Sequence, residues 1–546
     1  MPLNSKIQVP LPKKGIIVRS NRPYPYVYKV LSTFRNEKGQ PTNTSQLIGK
    51  LDPETGMLIP NDNYYIHFEN EEAEIPSPVE IPVSVETLPS IDSVHSIGAT
   101  FLIGCLLTDL GVTDVLLDSF GSDKANAIFT AAIYMACKGN VFQHVADWCE
   151  TSALNEIPLT SQKASSLFSS ITHADRMSFF RLWIETQKCH LKYLAYDVTS
   201  FSSYATGIAD TEWGYNRDGD KLPQINLGCY TCEESGMPVF YITYPGSIVD
   251  KAYLPYMMAY NDEFGIEDVG FVMDMGFCTT TNLKFMHSSS YRYIIAADPR
   301  HKTPRAAIDE IHDGIVSMRN HISGKTYGRS TYGLFYGVKT AIHIYYDPEK
   351  AERQHQDLYR TVESQDEKLG QMQQLTVREA KKYSAFFDIE KKKDGTFTYS
   401  RNYDKIDKAS RYHGFFCMLS NTNLSSSEIL FRYRRKDTIE KGFDDLKNHA
   451  DQKRMHTHIS ATTDGKMFCA FISLIVISAM NEEIRKSKMK KKRSKDAILS
   501  EMEKIKVVTV TGGKRLMNPV TKTQRMILEM FGIDEERLTK YVHNIY

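Results

Sequence analysis

Apolar and polar positions change their spacing several times along the chain. Residues 24–66 alternate aromatic and polar side chains around turn signals such as Glu37-Lys38-Gly39-Gln40-Pro41, which predicts a small β-rich unit over residues 1–75. Glu69, Glu71, Glu72 and Glu74 are followed by Pro76, Pro78, Pro82 and Pro89, so residues 76–92 read as an extended linker. From Ile97 to Cys189 the period turns helical. Ser122 stands where an N-cap is expected and Gly139 where a helix stops. Thr172 opens a further helix whose Met177, Phe180 and Ile184 are three and four apart. These features predict a helical domain over 93–190. DNA binding suits such a domain ahead of a catalytic core, and simple helical packing explains the pattern equally well.

At Leu191 the pattern becomes strand-like. LKYLAYDV, QINLGCYTC and PVFYITY are three β runs, the last two joined by a turn at Gly236-Met237-Pro238. A helical segment over 252–264 precedes the runs VGFVMDMGF and YRYIIAAD. Strands followed by helix and strand predict an α/β core, with its first part at 191–300. Residues 301–412 break the rhythm: Ile308, Ile311, Ile315 and Met318 mark an amphipathic helix, Tyr332 to Tyr346 alternates, and an Asp394-Gly395 turn separates two short strands. This stretch is read as a separate insertion. The core resumes over 413–486, from HGFFCMLS into a helix ending near 450, and a basic region follows at 487–546.

Composition narrows the picture. The net charge of the 546-residue chain is only +1, so any nucleic-acid surface must be local. Arg485–Lys495 has eight basic residues in eleven and suits phosphate, although a solvated linker would look the same. Nine scattered cysteines fit reduced thiols better than a disulfide framework, and Cys229 and Cys232 read as buried strand residues rather than half a zinc site. The first residues lack a signal-peptide core, and the longest apolar run, Phe468–Met480, has 13 residues, too few to span a bilayer. A cytoplasmic, nucleoid-associated protein without a membrane partner is expected.

Two acids stand in otherwise apolar strands, Asp197 and Asp274. Buried carboxylates are costly unless paired or bound to a cation, so two in neighbouring strands suggest a cation site, whereas either alone would fit a loop cap. The segment 431–448 has a third acid. On a helix, Tyr433, Lys436 and Lys447 fall within about 40° of Glu440, beside an apolar stripe of Ile439, Phe443, Leu446 and Ala450. A solvated amphipathic helix with ordinary charge pairs would share this pattern.

The spacing of Tyr433, Lys436, Glu440 and Lys447 resembles the Tyr-Arg-Glu-Lys signature of DDE transposases of the insertion-sequence-four superfamily, with Lys436 in place of the usual Arg. AYDVTS (195–200), VMDMGF (272–277) and the stretch 214–247, with its Gln and Pro-Gly, also resemble that family. The resemblance implies an α/β, RNase H-like core interrupted by a β-rich insertion, behind a helical DNA-binding region. It implies Asp197, Asp274 and Glu440 as catalytic carboxylates for Mg²⁺ or Mn²⁺, with two ions expected, and Tyr433, Lys436 and Lys447 as DNA contacts. A homodimer acting on terminal inverted repeats and target DNA is the implied assembly. Relatives that form DNA hairpins hold a flipped base on a ring of the insertion, commonly Trp. Trp148, Trp183 and Trp213 lie outside it, which leaves Tyr327, Tyr332, Phe335 and Tyr336 as candidates. A nuclease without strand transfer, or an idle transposase-derived DNA-binding protein, would share these features.

Overall fold

The computed structural model describes residues 7–20, 25–68, 90–152, 154, 159–215, 219, 221–392, 395–436, 456–487 and 493–544. The chain forms two compact units, Met1–Ser90 and Ile91–Tyr546.

In the first unit, β1 (Ile16–Arg19), β2 (Tyr26–Arg35), β3 (Pro41–Leu51) and β4 (Leu58–Pro60) make an antiparallel sheet in chain order, followed by helix α1 (Asp62–Phe68). The β2–β3 turn follows from local chemistry: the Asn36 side chain accepts from the Lys38 and Gln40 amides, and Gly39 takes φ 72°. Val9, Val27, Ile48 and Leu58 form its small core.

The second unit begins with β5 (Ile91–Ser96) and six helices: α2 (Gly98–Asp109), α3 (Val112–Phe120), α4 (Ser122–Lys138), α5 (Val145–Ser152), α6 (Ser161–Ser170) and α7 (His173–Gln187). Thr172 caps α7 through a reciprocal pair with Asp175. Ser122 is instead the first residue of α4, whose cap is Gly121.

A nine-stranded sheet follows. Its founding strands are β6 (Tyr193–Ser202), β7 (Gln224–Cys232), β8 (Pro238–Pro245), β9 (Gly270–Met273) and β10 (Arg292–Ala297), with α8 (Asp250–Glu263) and α9 (Thr280–Ser288) in the crossovers. Their spatial order is β8-β7-β6-β9-β10. The first three strands are antiparallel, whereas β9 runs parallel to both β6 and β10.

Residues 301–412 differ from the expected separate β-rich insertion. After α10 (Lys302–Ile311), strands β11 (His321–Ser323), β12 (Thr326–Phe335) and β13 (Val338–Tyr346) extend the main sheet. The link is β16 (Phe415–Ser420), which lies between β13 and β10 and is antiparallel to both. Once β16 pairs with β10, its other edge is open to β13. The pairing therefore draws these strands into the core. What stands apart is mostly helical: α11 (Pro348–Gln371), α12 (Val377–Tyr383) and α13 (Tyr403–Ser410), with a hairpin of β14 (Phe387–Lys391) and β15 (Phe397–Arg401). Val362, Leu369, Leu375, Tyr383, Phe387 and Ile406 form their own core.

Next come α14 (Ser426–Arg435) and α15 (Ser460–Lys486). The latter is 27 residues long, so the 13-residue run understates it; by length and apolarity alone it could cross a membrane, yet 83% of its most apolar window is buried inside the protein. Packing against α4, α6 and β8 explains why it is apolar nearly all round. Phe468 meets Phe179, and Phe471 meets Phe180 and Tyr241, joining the helices to the sheet. The chain ends with α16 (Lys495–Met502), β17 (Lys506–Val510), β18 (Lys514–Met517), α17 (Lys522–Met530) and α18 (Glu535–His543). Strand β17 pairs with β5, so the C-terminal segment closes onto the start of this unit, and Ile91 and Asp92 are in a strand rather than a linker.

A Cβ at Gly465 would run into the backbone of Phe168, so α15 and α6 touch main chain to main chain. Gly465→Ala should therefore destabilise the protein by about 1–3 kcal/mol through overpacking. Thermal or urea unfolding checks this; unchanged stability would show that the two helices part at little cost.

Candidate active site

The parallel register of β6 and β9 pairs Tyr196 with Met273, so the next residues, Asp197 and Asp274, fall side by side. Asp197 is 4% exposed within a strand buried at every position, and its Oδ1 accepts from the Val198 amide at 2.9 Å. Asp274 lies just past β9, where the strand gives way to a single 3₁₀ turn, and its side chain is 37% exposed.

Helix α14 completes the described part of the site. Ser425 caps it, and Glu428 returns the bond to the Ser425 amide, while Ile429 and Leu430 are buried. Positions 433 and 436, one turn apart, face the acids. The Tyr433 hydroxyl donates to Asp274 Oδ1 at 3.1 Å, and the Lys436 ammonium lies 3.0 Å from Asp274 Oδ2 and 3.6 Å from Asp197 Oδ2. Lys436 is 1% exposed. Burying a cation there is tolerable because two carboxylates share it.

Two more residues of α14 anchor it. Arg432 Nη1 is 2.6 Å from Glu233 Oε2, and Arg435 Nε is 3.3 Å from Glu233 Oε1 and donates to the Glu233 carbonyl at 2.7 Å. Glu233 follows β7 and is 4% exposed; burial pushes its carboxyl above the usual range against the pull of both arginines. Breaking such a buried pair costs about 3–5 kcal/mol. Arg434 points elsewhere, donating to Thr326 Oγ1 of β12 at 2.8 Å. The basic run of α14 was visible in the sequence, but Glu233 was not singled out, because nothing local distinguishes it from any other acid in a turn.

A cavity of about 950 Å³ opens beside the acids. Met275, Tyr433 and Arg434 line it together with Arg300, Arg305 and Lys350. Five cationic and two acidic side chains line it in all, so its walls favour an anion.

The other predicted residues fall as follows. Glu440 and Lys447 lie outside the described residues, as does the expected continuation of the helix from 437 to 450. Of the four ring candidates, Phe335 is 1% exposed in the core, Tyr327 and Tyr336 are half-buried, the latter packing on Phe335 and His301, and Tyr332 is 69% exposed. Cys229 and Cys232 are fully buried, and burial pushes the Cys229 thiol up to about 12. At the C-terminal end of α15, Arg485 and Lys486 pair with Glu482 and Glu483. Part of the basic run is thus engaged within the protein.

The donor set suits a hard divalent cation: carboxylate oxygens from two adjacent strands converge on one position, which the Lys436 ammonium marks as a stand-in cation. Among the described residues no third His, Cys, Asp or Glu joins them.

A family model described as a transposase DDE domain matches residues 190–476, from just before β6 into α15. The chain belongs to this transposase DDE-domain family. No curated protein matches the sequence. Among solved structures, the piggyBac transposase in a synaptic complex with hairpin DNA is similar over 82% of this chain and 76% of that one, at 10% identity and a TM-score of 0.27.

If Lys436 neutralises the two acids, Lys436→Ala should cost about 2 kcal/mol or more in metal-free buffer, with Mg²⁺ or Mn²⁺ restoring more stability to the variant than it adds to the unmodified protein. Melting curves with and without metal test this. Equal curves for both proteins would exclude the shared ion pair.

Proposed function

We propose that this protein is a DNA transposase of the insertion-sequence-four superfamily, cutting element ends and joining them to target DNA by metal-dependent phosphoryl transfer. The observation that carries the reading is the pair Asp197 and Asp274, side by side on parallel strands and sharing one cation, inside a segment matched by the transposase DDE domain. The strand order β8-β7-β6-β9-β10 supports an RNase H-like core. Lys436, standing where the family signature has Arg, and Tyr433 both reach the acids, which supports the Tyr-Arg-Glu-Lys branch.

In this reading Asp197, Asp274 and Glu440 would hold Mg²⁺ or Mn²⁺. Bound there, such ions supply Lewis acidity to the attacking and leaving oxygens of an in-line displacement at phosphorus. The chain's own residues do the rest. Asp197 is fixed by its strand and by the Val198 amide, so its carboxylate is aimed before substrate arrives. Tyr433 orients Asp274 through its hydroxyl, and Lys436 and Lys447 give positive charge for phosphates of the cut strand. The cationic cavity beyond Tyr433 would receive the DNA backbone next to the scissile bond. A homodimer on paired inverted repeats, in the cytoplasm, completes the proposal.

Asp197→Asn, Asp274→Asn and Glu440→Gln should each reduce cleavage of end DNA in Mg²⁺ to background while leaving DNA binding largely intact, since each removes charge but little shape. Gel assays of nicked and joined products beside mobility shifts would test this. Near-normal cleavage by any variant removes that residue from the site, and nicking without joined product marks a nuclease instead.

A further inference from the structure

Besides Tyr204, the β6–β7 connection carries two large exposed rings that the site above does not use. Trp213 is 67% exposed and Tyr215 is 85% exposed, whereas Trp183 is fully buried. Their backbone is held firmly. Glu212 and Gln224 exchange two main-chain hydrogen bonds of 3.1 and 2.9 Å. The Gln224 side-chain amide donates to the Tyr215 carbonyl at 2.9 Å and to Asn226 at 3.0 Å, and Asn226 donates to the Ile248 carbonyl at 3.1 Å. Ser247 donates to the Glu212 carboxylate, and a Cβ at Gly214 would strike the carbonyl of Gly246. Gln224 and Asn226 are 1% and 3% exposed. Buried amides are costly unless bonded, and the effect of bonding these is to clamp residues 212–215 against 246–248. Fixed rings facing water mark a contact surface.

Its place in the sheet points to the partner. Gln224 pairs with Ser202 of β6 as well as with Glu212, so Trp213 stands next to the residue level with Ser202. Ser202 is five residues beyond Asp197, about 17 Å along β6, and Glu212 lies two strand spacings, about 10 Å, to the side. Ile208 is buried, so ring faces are what the loop offers. Flat, fixed faces suit bases, whose stacking tolerates any sequence.

We propose that Trp213 and Tyr215 form a stacking surface for nucleic-acid bases about 20 Å from the paired acids. The proposal rests on the transposase reading above. The test titrates the full chain with a mixed-sequence oligonucleotide, single-stranded and as a duplex, while following tryptophan emission and mobility shift together. Emission should be quenched as DNA binds, and the quench should vanish in Trp213→Leu, with affinity about fivefold weaker or more. Trp213→Phe should restore affinity without the signal. Shifted DNA with Trp213 emission and acrylamide access unchanged would overturn the stacking surface but leave the transposase reading standing. Emission that shifts with protein concentration alone would make the surface a contact between copies and overturn the proposal. No DNA binding at all would overturn the transposase reading and the surface with it.

Discussion

A carboxylate in the middle of a strand buried at all ten positions needs a cation, and the arrangement around β6 answers that need. Asp197 is 4% exposed and cannot turn to solvent, with β7 along one edge of β6 and β9 along the other as far as Tyr196. Positive charge must come to it. Lys436 brings that charge from a helix far along the chain and shares it with Asp274, which the parallel register has set alongside. The same demand for a cation makes the position suitable for a metal ion.

The position of Lys436 depends in turn on how α14 is held. Arg432 and Arg435, one turn apart, grip Glu233 at the end of β7, and Arg435 also approaches Glu482 of α15 at 3.9 Å. Burial works to raise the Glu482 carboxyl, but its bonds to Arg485 and the nearby cations carry it below the usual range. One side of α14 is therefore fastened by buried ion pairs while the adjoining side presents Tyr433 and Lys436 to the acids. Such pairs add little net stability compared with apolar packing, but they are directional and set the rotation of the helix.

The extended sheet gives the site its wall. With β16 between β10 and β13, the strands of the inserted segment continue the core, and α14 packs over β9, β12 and β13. The helical outgrowth of α11 to α13 rests on a core of six buried residues. So small a core predicts local opening at lower free energy than the main sheet requires.

Asp197 and Asp274 were legible in the sequence because an acid breaks an apolar strand pattern, and the strands β6 to β10 because their runs are short, apolar and bounded by turns. The caps at Thr172 and Ser425 are local chemistry, although only the first was read from the sequence. Residues 301–412 were misjudged because period two marks a strand but not its partner: the edge that receives β13 belongs to β16, on the far side of the helical outgrowth. The sequence by itself determined which residues carry charge and which segments pair as strands or wind as helices, since those follow from neighbours a few positions apart. Tertiary structure alone decided that Lys436 lies between two carboxylates and that Glu233 anchors α14, because a buried charge is neutralised by whatever the fold brings within a few ångströms, and those partners are far away along the chain.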